Sequence, residues 1–224
     1  MQQHHTTRCG GHGHREFTIQ LAEDSPIPNA ARVLVDYFED GVAGGVTFLP
    51  GQVVRLGWSL LRLCERTDGT IGVEERELTP QMTWTESVDR ALADAWYQKE
   101  VCASVGLIDE VTFPLQDDDV MVADCAIEAE LVVMTRFPAE DLPEGISGWA
   151  LCCGADHDHG ERSFVPLMAI AANQPGLVQF LALPHDTIVL VGSRATRLDP
   201  HIYRGGDEIP PIEGSYVAAL QGAG

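Results

Sequence analysis

Five side chains able to ligate a metal stand within eleven residues near the start of the chain: His4, His5, Cys9, His12 and His14. Imidazole and thiolate are the ligands zinc takes. Cys9-x-x-His12 has the step of a zinc half-site, and Gly10, Gly11 and Gly13 would let the backbone wrap an ion. His157 and His159, with Cys152 close in sequence, offer a second half. Cys9, His12, His14, His157 and His159 are therefore the candidate metal ligands, and zinc is the one candidate cofactor. The same residues also fit a flexible His-rich tail over 1–14 that takes up metal only when it is offered, because no second Cys-x-x-Cys or His-x-x-x-His closes the site.

Other chemistries find no support. There is no Gly-x-Ser-x-Gly nucleophile elbow, and Cys102 falls on the apolar stripe of an expected helix, where burial works against a thiolate. Gly10-Gly11-His12-Gly13 precedes a strand, whereas a phosphate-binding loop follows one. Asp117-Asp118-Asp119 lacks the spaced Asp-x-Asp-x-Asp-Gly order of a calcium loop. The residues point to binding and not to catalysis.

The charge says what kind of partner. The 224 residues carry 34 acids against 14 bases, a net −20, and Lys99 is the one lysine. A polyanion needs a basic patch, so nucleic acid is excluded as a direct partner, and an anionic membrane surface for the same reason. Between Glu100 and Glu161 there are fifteen acids and a single base, Arg136, so this window holds −14 of the −20. Two readings fit: a solvated face, or a docking surface that draws in a basic protein. On the second, Asp117, Asp118, Asp119, Asp156, Asp158 and Glu161 are the candidate partner-binding residues.

The elements that must position these groups follow from periodicity and turn signals. Phe17–Leu21 alternates as a strand does, and Val33, Leu34, Tyr37, Phe38 and Val42 recur at helical spacing after Asn29. Residues 47–75 read as a meander with hairpin turns at Pro50-Gly51 and Asp68-Gly69. One apolar stripe predicts a helix from Trp84 to Leu107. Leu131–Met134, Gly148–Cys153 and Thr187–Val191 read as strands. Residues 167–183 read as two short helices broken at Pro175, with Asn173 capping the second, and Tyr216–Leu220 as a terminal element. Strands and helices without βαβ alternation predict an α+β fold with mixed or antiparallel sheets and two subdomains. The expected parts are an N-terminal α+β domain over 15–110, an acidic linker over 111–126 and a C-terminal α+β domain over 127–220. The chain has no apolar run of about 20 residues for a membrane span and none for a signal peptide, so a cytoplasmic protein with reduced cysteines is expected.

Ser147-Gly148-Trp149, the acidic Gly154-Ala155-Asp156 loop, and Asn173-x-Pro175-x-Leu177-Val178-x-x-Leu181-x-x-Pro184-x-Asp186-Thr187 resemble a small domain of bacterial immunity-type proteins. That domain, encoded beside polymorphic toxins, matches about residues 127–193 here. Where the family's loop usually has a Gly-Asp-Glu run and a Tyr, this chain has Gly154 to Glu161 with two histidines. Phe48-x-Pro50-Gly51-Gln52, Gly57-Trp58-Ser59 and Trp96-x-Gln98-Lys99-Glu100-Val101 resemble the companion region of uncharacterised bacterial proteins that carry the domain. The resemblance implies a stoichiometric inhibitor of a cognate toxin, acting by occlusion and without enzymatic activity. Two alternatives stay open: a zinc-binding protein using the N-terminal cluster and the 157–159 loop, and a scaffold component of a secretion cluster.

Overall fold

A computed structural model describes residues 1–25, 27, 29–79, 82–138, 140, 142–192 and 199–222. The fold is α+β, built on two mixed sheets. The chain divides into two compact units, Met1–Trp96 and Tyr97–Gly224. The division falls inside a helix, not in the acidic stretch 111–126 where a linker is expected.

The first unit holds strands β1 (Gln2–His5), β2 (Phe17–Leu21), β3 (Val53–Leu56), β4 (Ser59–Glu65), β5 (Ile71–Arg76) and β6 (Trp84–Thr85), with helix α1 (Ala30–Ala43). The sheet order is β1-β2-β5-β4-β3, with β6 beside β5. β2 and β5 run parallel, and the hairpins β3–β4 and β4–β5 are antiparallel. The first residues, expected as a tail, form an edge strand instead. Gln2 to His5 pair with Leu21 to Thr18, because an exposed sheet edge leaves backbone groups that another strand can satisfy. The core is aromatic: Phe17 stacks on Phe38 with centroids 4.1 Å apart, and Phe48 meets both edge-on.

Helix α2 (Asp89–Ser104) begins five residues later than its apolar stripe suggests, because Trp84 and Thr85 pair with Arg76 and Glu75. The Ser87 hydroxyl then accepts the Asp89 N–H at 3.3 Å, satisfying one of the backbone donors left over at the new start. Asn29 sits before α1 in the left-handed region, φ 54°, and caps through no side-chain bond.

The second unit holds β7 (Asp119–Ala123), β8 (Leu131–Arg136), β9 (Ile146–Cys153), β10 (Arg162–Pro166), β11 (Thr187–Gly192), β12 (His201–Arg204) and β13 (Asp207–Glu208). It also holds α3 (Leu167–Asn173), a 3-10 turn Pro175–Phe180 and α4 (Tyr216–Gly222). The sheet order is β10-β7-β9-β8-β11-β12-β13. β7 and β9 are parallel, and the other pairs are antiparallel. The break at Pro175 is present, but Asn173 donates back to the Ala169 carbonyl at 2.8 Å and Gln174 occupies the cap.

Register assigns each face of this sheet. Val122, Leu151, Met134, Val189 and Ile202 align across five strands, and all are buried. One position along, Phe164, Met121, Ala150, Thr135, Ile188 and Tyr203 form a second row on the opposite face, half-buried except for an exposed Phe164. Strand geometry requires this alternation. The segment expected as linker thus supplies an interior strand, with Val120, Val122 and Ala123 buried.

Arg136 lies on the buried side, 2% exposed. Its guanidinium donates to the carbonyls of Thr112 (2.8 Å), Leu181 (3.1 Å) and Leu183. It also lies over the Trp149 ring, 5.4 Å from the centroid, and Trp149 donates its indole N–H to the same Leu181 carbonyl at 3.0 Å. Burial lowers the Arg136 pKa to about 10, which leaves it charged at neutral pH.

Candidate functional site

The parallel pair β7 and β9 ends on one side of the sheet, and four ligand-bearing side chains meet there. Cys125 sits in the 3-10 turn Asp124–Ala126 that directly follows β7, and Cys153 is the last residue of β9. From Cys153 the chain must cross the end of β7 to reach β10, which pairs on the far side of it. The crossing loop, 154–161, carries His157 and His159 back over Cys125.

The Cys153 Sγ lies 3.0 Å from His157 Nε2 and 3.7 Å from His159 Nδ1, and the Cys125 Sγ lies 3.3 Å from His159 Nδ1. All four ligand atoms fall within 4.8 Å of one another. The two imidazoles stand 4.9 Å apart at 60°, so neither ring blocks the other's nitrogen. His157 Nδ1 is 2.6 Å from the Asp158 carbonyl, a bond that makes Nδ1 the protonated nitrogen and turns the lone pair of Nε2 toward Cys153. Cys153 is buried, Cys125 and His159 are half-buried, and His157 is exposed.

Among the described residues this is the only such gathering of His, Cys, Asp or Glu ligands. It includes His157 and His159 from the sequence-derived set but not Cys9, His12 or His14. Cys9 is fully buried in the first unit, its N–H donating to Glu16 at 3.3 Å, and burial pushes its thiol pKa up, against thiolate ligation. His14 is committed to the backbone of Phe48 and stacks on Phe17, and His12 is exposed. Cys152 is not a partner either. It pairs with Val133 and Cys153 with Val132, so alternation turns the two sulfurs to opposite faces of β9. Cys125, separated from its neighbours in the cluster by 28 residues or more, carried no spacing signal.

The six acidic candidates form two groups at opposite ends of β7. Asp117, Asp118 and Asp119 stand at its start, where the Asp118 carboxylate accepts the Leu115 N–H at 2.7 Å. Asp156, Asp158 and Glu161 lie past its end, all exposed, on the loop that carries the two histidines. The five-residue strand separates the groups by roughly 17 Å. Between them the open face of the sheet forms an apolar groove lined by Met121, Phe137, Leu142, Ile146 and Phe164, with Glu144 on its wall. Phe137 is 43% and Phe164 57% exposed, large apolar side chains that a sheet face in water does not ordinarily leave open. The sequence did not mark this groove, because its residues come from four separate segments.

Residues 97–197 match the model of the Imm33-like domain, of the immunity protein family. The match starts at the residue where the second compact unit begins, 30 residues before the segment that the short motifs pick out. It therefore takes in β7 and the acidic triplet. No curated protein and no solved structure was found similar to the chain. No helix among the described residues is long and apolar enough to cross a membrane.

Proposed function

We propose that the chain, whose residues 97–197 match the Imm33-like domain, is an immunity protein that neutralises a cognate toxin by binding and occluding it. The family match at residues 97–197 carries this reading. Three features of the same unit support it. The window 100–161 carries fifteen acids against one base, a field that draws in a basic surface and speeds encounter. An apolar groove with two exposed phenylalanines lies on the open sheet face, the kind of centre that carries most of an interface's affinity. Acidic clusters stand on both sides of that centre, matching an interface with an apolar middle and a charged rim.

The mechanism needs no catalysis. Phe137, Phe164 and Met121 would seat an apolar element of the toxin. Asp117, Asp119, Asp156 and Glu161 would pair with arginines or lysines around the toxin's active site, which a toxin acting on nucleic acid needs in order to hold phosphate. Blocking that site with carboxylates replaces the substrate's own charge.

Co-expression with the toxin encoded in the neighbouring locus tests the reading. Growth should be rescued by the wild-type chain and lost with Phe164→Asp. A rescue unchanged by Phe164→Asp would remove the groove from the mechanism. Failure of the wild-type chain to rescue or to bind would sink the immunity reading itself.

A further inference from the structure

We propose that Cys125, Cys153, His157 and His159 form a structural zinc site that fastens the β9–β10 crossing to the end of β7. The donor set is two sulfurs and two imidazole nitrogens, a combination found in closed, four-coordinate structural zinc sites. With Zn–S near ~2.3 Å and Zn–N near ~2.1 Å, tetrahedral ligands stand about 3.6 Å apart between sulfur and nitrogen and about 3.8 Å between sulfurs. Three of the four sulfur–nitrogen separations, 3.0, 3.3 and 3.7 Å, bracket that value, and every ligand pair falls within 4.8 Å, so side-chain rotations complete the shell. The orienting bond from His157 Nδ1–H to the Asp158 carbonyl is the outer-shell contact that ligating histidines make.

The loop itself requires an anchor. Gly154-Ala155-Asp156-His157-Asp158-His159-Gly160-Glu161 contains no large apolar side chain to bury. Its backbone is held at the ends: Gly154 N–H reaches the Leu131 carbonyl at 3.0 Å, and the Glu161 carbonyl accepts from Asp124 N–H at 3.4 Å. Between those points the two histidines are what tie it to the sheet. Gly154 packs so closely on Leu131 that a Cβ there would come within 2.5 Å of Leu131 Cδ2, so the direction in which the chain leaves Cys153 is fixed. A metal would thus be bound by two cysteines set by neighbouring strand ends and by two histidines that it orders in turn. The site concerns folding of this unit and stands whether or not the partner is a toxin.

The test uses the full chain, produced without a nickel-binding tag and purified under reducing, metal-buffered conditions. Elemental analysis should find about one zinc per chain. Replacing zinc with cobalt(II) should give the visible band pattern of a tetrahedral ion with thiolate charge transfer. Cys125→Ser and His157→Ala should each weaken zinc binding at least ~100-fold in a chelator competition. His157 is exposed, so that variant keeps the test valid if Cys125→Ser does not fold. Cys152→Ser and a Cys9→Ser/His12→Ala/His14→Ala triple variant should keep full zinc content. The proposal is overturned by absence of stoichiometric metal after reconstitution, by a cobalt spectrum without thiolate ligation, by retained affinity in His157→Ala, or by a Cys125–Cys153 disulfide in the reduced preparation.

Discussion

Cys125 and His159 are 34 residues apart in the chain, yet the sulfur of one lies 3.3 Å from Nδ1 of the other. Two strands and a loop are needed to bring them together. If a metal joins them, its removal should loosen the loop before it unfolds the domain. Limited proteolysis should then cut between 154 and 161 faster in chelator than in zinc, at least ~10-fold, with the β8–β11 region still protected in hydrogen exchange. Equal cutting rates in the two conditions would mean that the loop is held by something else.

Arg136 should be the least replaceable charge in the second unit. Its guanidinium satisfies three carbonyls and covers Trp149, so Arg136→Ala leaves buried acceptors unpaired and a cavity beside the indole. We expect a loss of about 3–5 kcal/mol in urea unfolding, with Arg136→Lys intermediate because an ammonium can donate to the same carbonyls but lacks the planar guanidinium that covers Trp149. A change below about 1 kcal/mol would show that water replaces the guanidinium at little cost.

Gly148, in the Ser147-Gly148-Trp149 motif, has φ +79°, and a Cβ there would come within 2.7 Å of Leu142 Cδ1. Both effects act against any side chain, so Gly148→Ala should cost about 1–3 kcal/mol. Since Leu142 also lines the apolar groove, the variant should weaken partner binding beyond what the lost stability explains. Calorimetry together with binding at a temperature where both forms are folded would separate the two effects.

Glu75 gives the first unit a pH dependence of unusual sign. Burial pushes its carboxyl up to about 7, against bonds from the backbone N–H groups of Ala91 and Arg90. Its folded pKa lies above the unfolded value, so the folded state holds the proton more tightly. The resulting stability is full below about pH 4.5 and is lost as pH rises through 7, on the order of 2–3 kcal/mol. Asp68, lowered to about 2 chiefly by hydrogen bonds from Thr70, acts in a separate, more acidic window. Glu75→Gln should remove the fall in melting temperature between pH 4.5 and 7.5. An unchanged profile would place the titration elsewhere.

The association itself should be fast and sensitive to salt. Asp156→Lys combined with Glu161→Lys should slow association with the toxin ~10-fold or more at low ionic strength and change dissociation little. Phe164→Ala should do the reverse, raising the dissociation rate. A toxin complex indifferent to both changes would have to use another surface.

The sequence by itself determined what depends on neighbouring residues. Alternation in Phe17–Leu21 and Thr187–Val191, the period of Val33 to Val42 and the break at Pro175 each reflect local sterics, and each element is found in place. The net charge and its concentration in residues 100–161 are properties of composition. The acidic triplet hid β7, because a strand inside a sheet needs few buried side chains, here Val120, Val122 and Ala123, and its polar neighbours outvoted them. The helix predicted from Trp84 gave way because Trp84 and Thr85 gained more from pairing with β5. Only the tertiary structure could choose Cys153 over Cys152 or add Cys125. Which sulfur faces the histidines depends on strand register, and which strands end together depends on sheet order, and neither quantity is local in the chain.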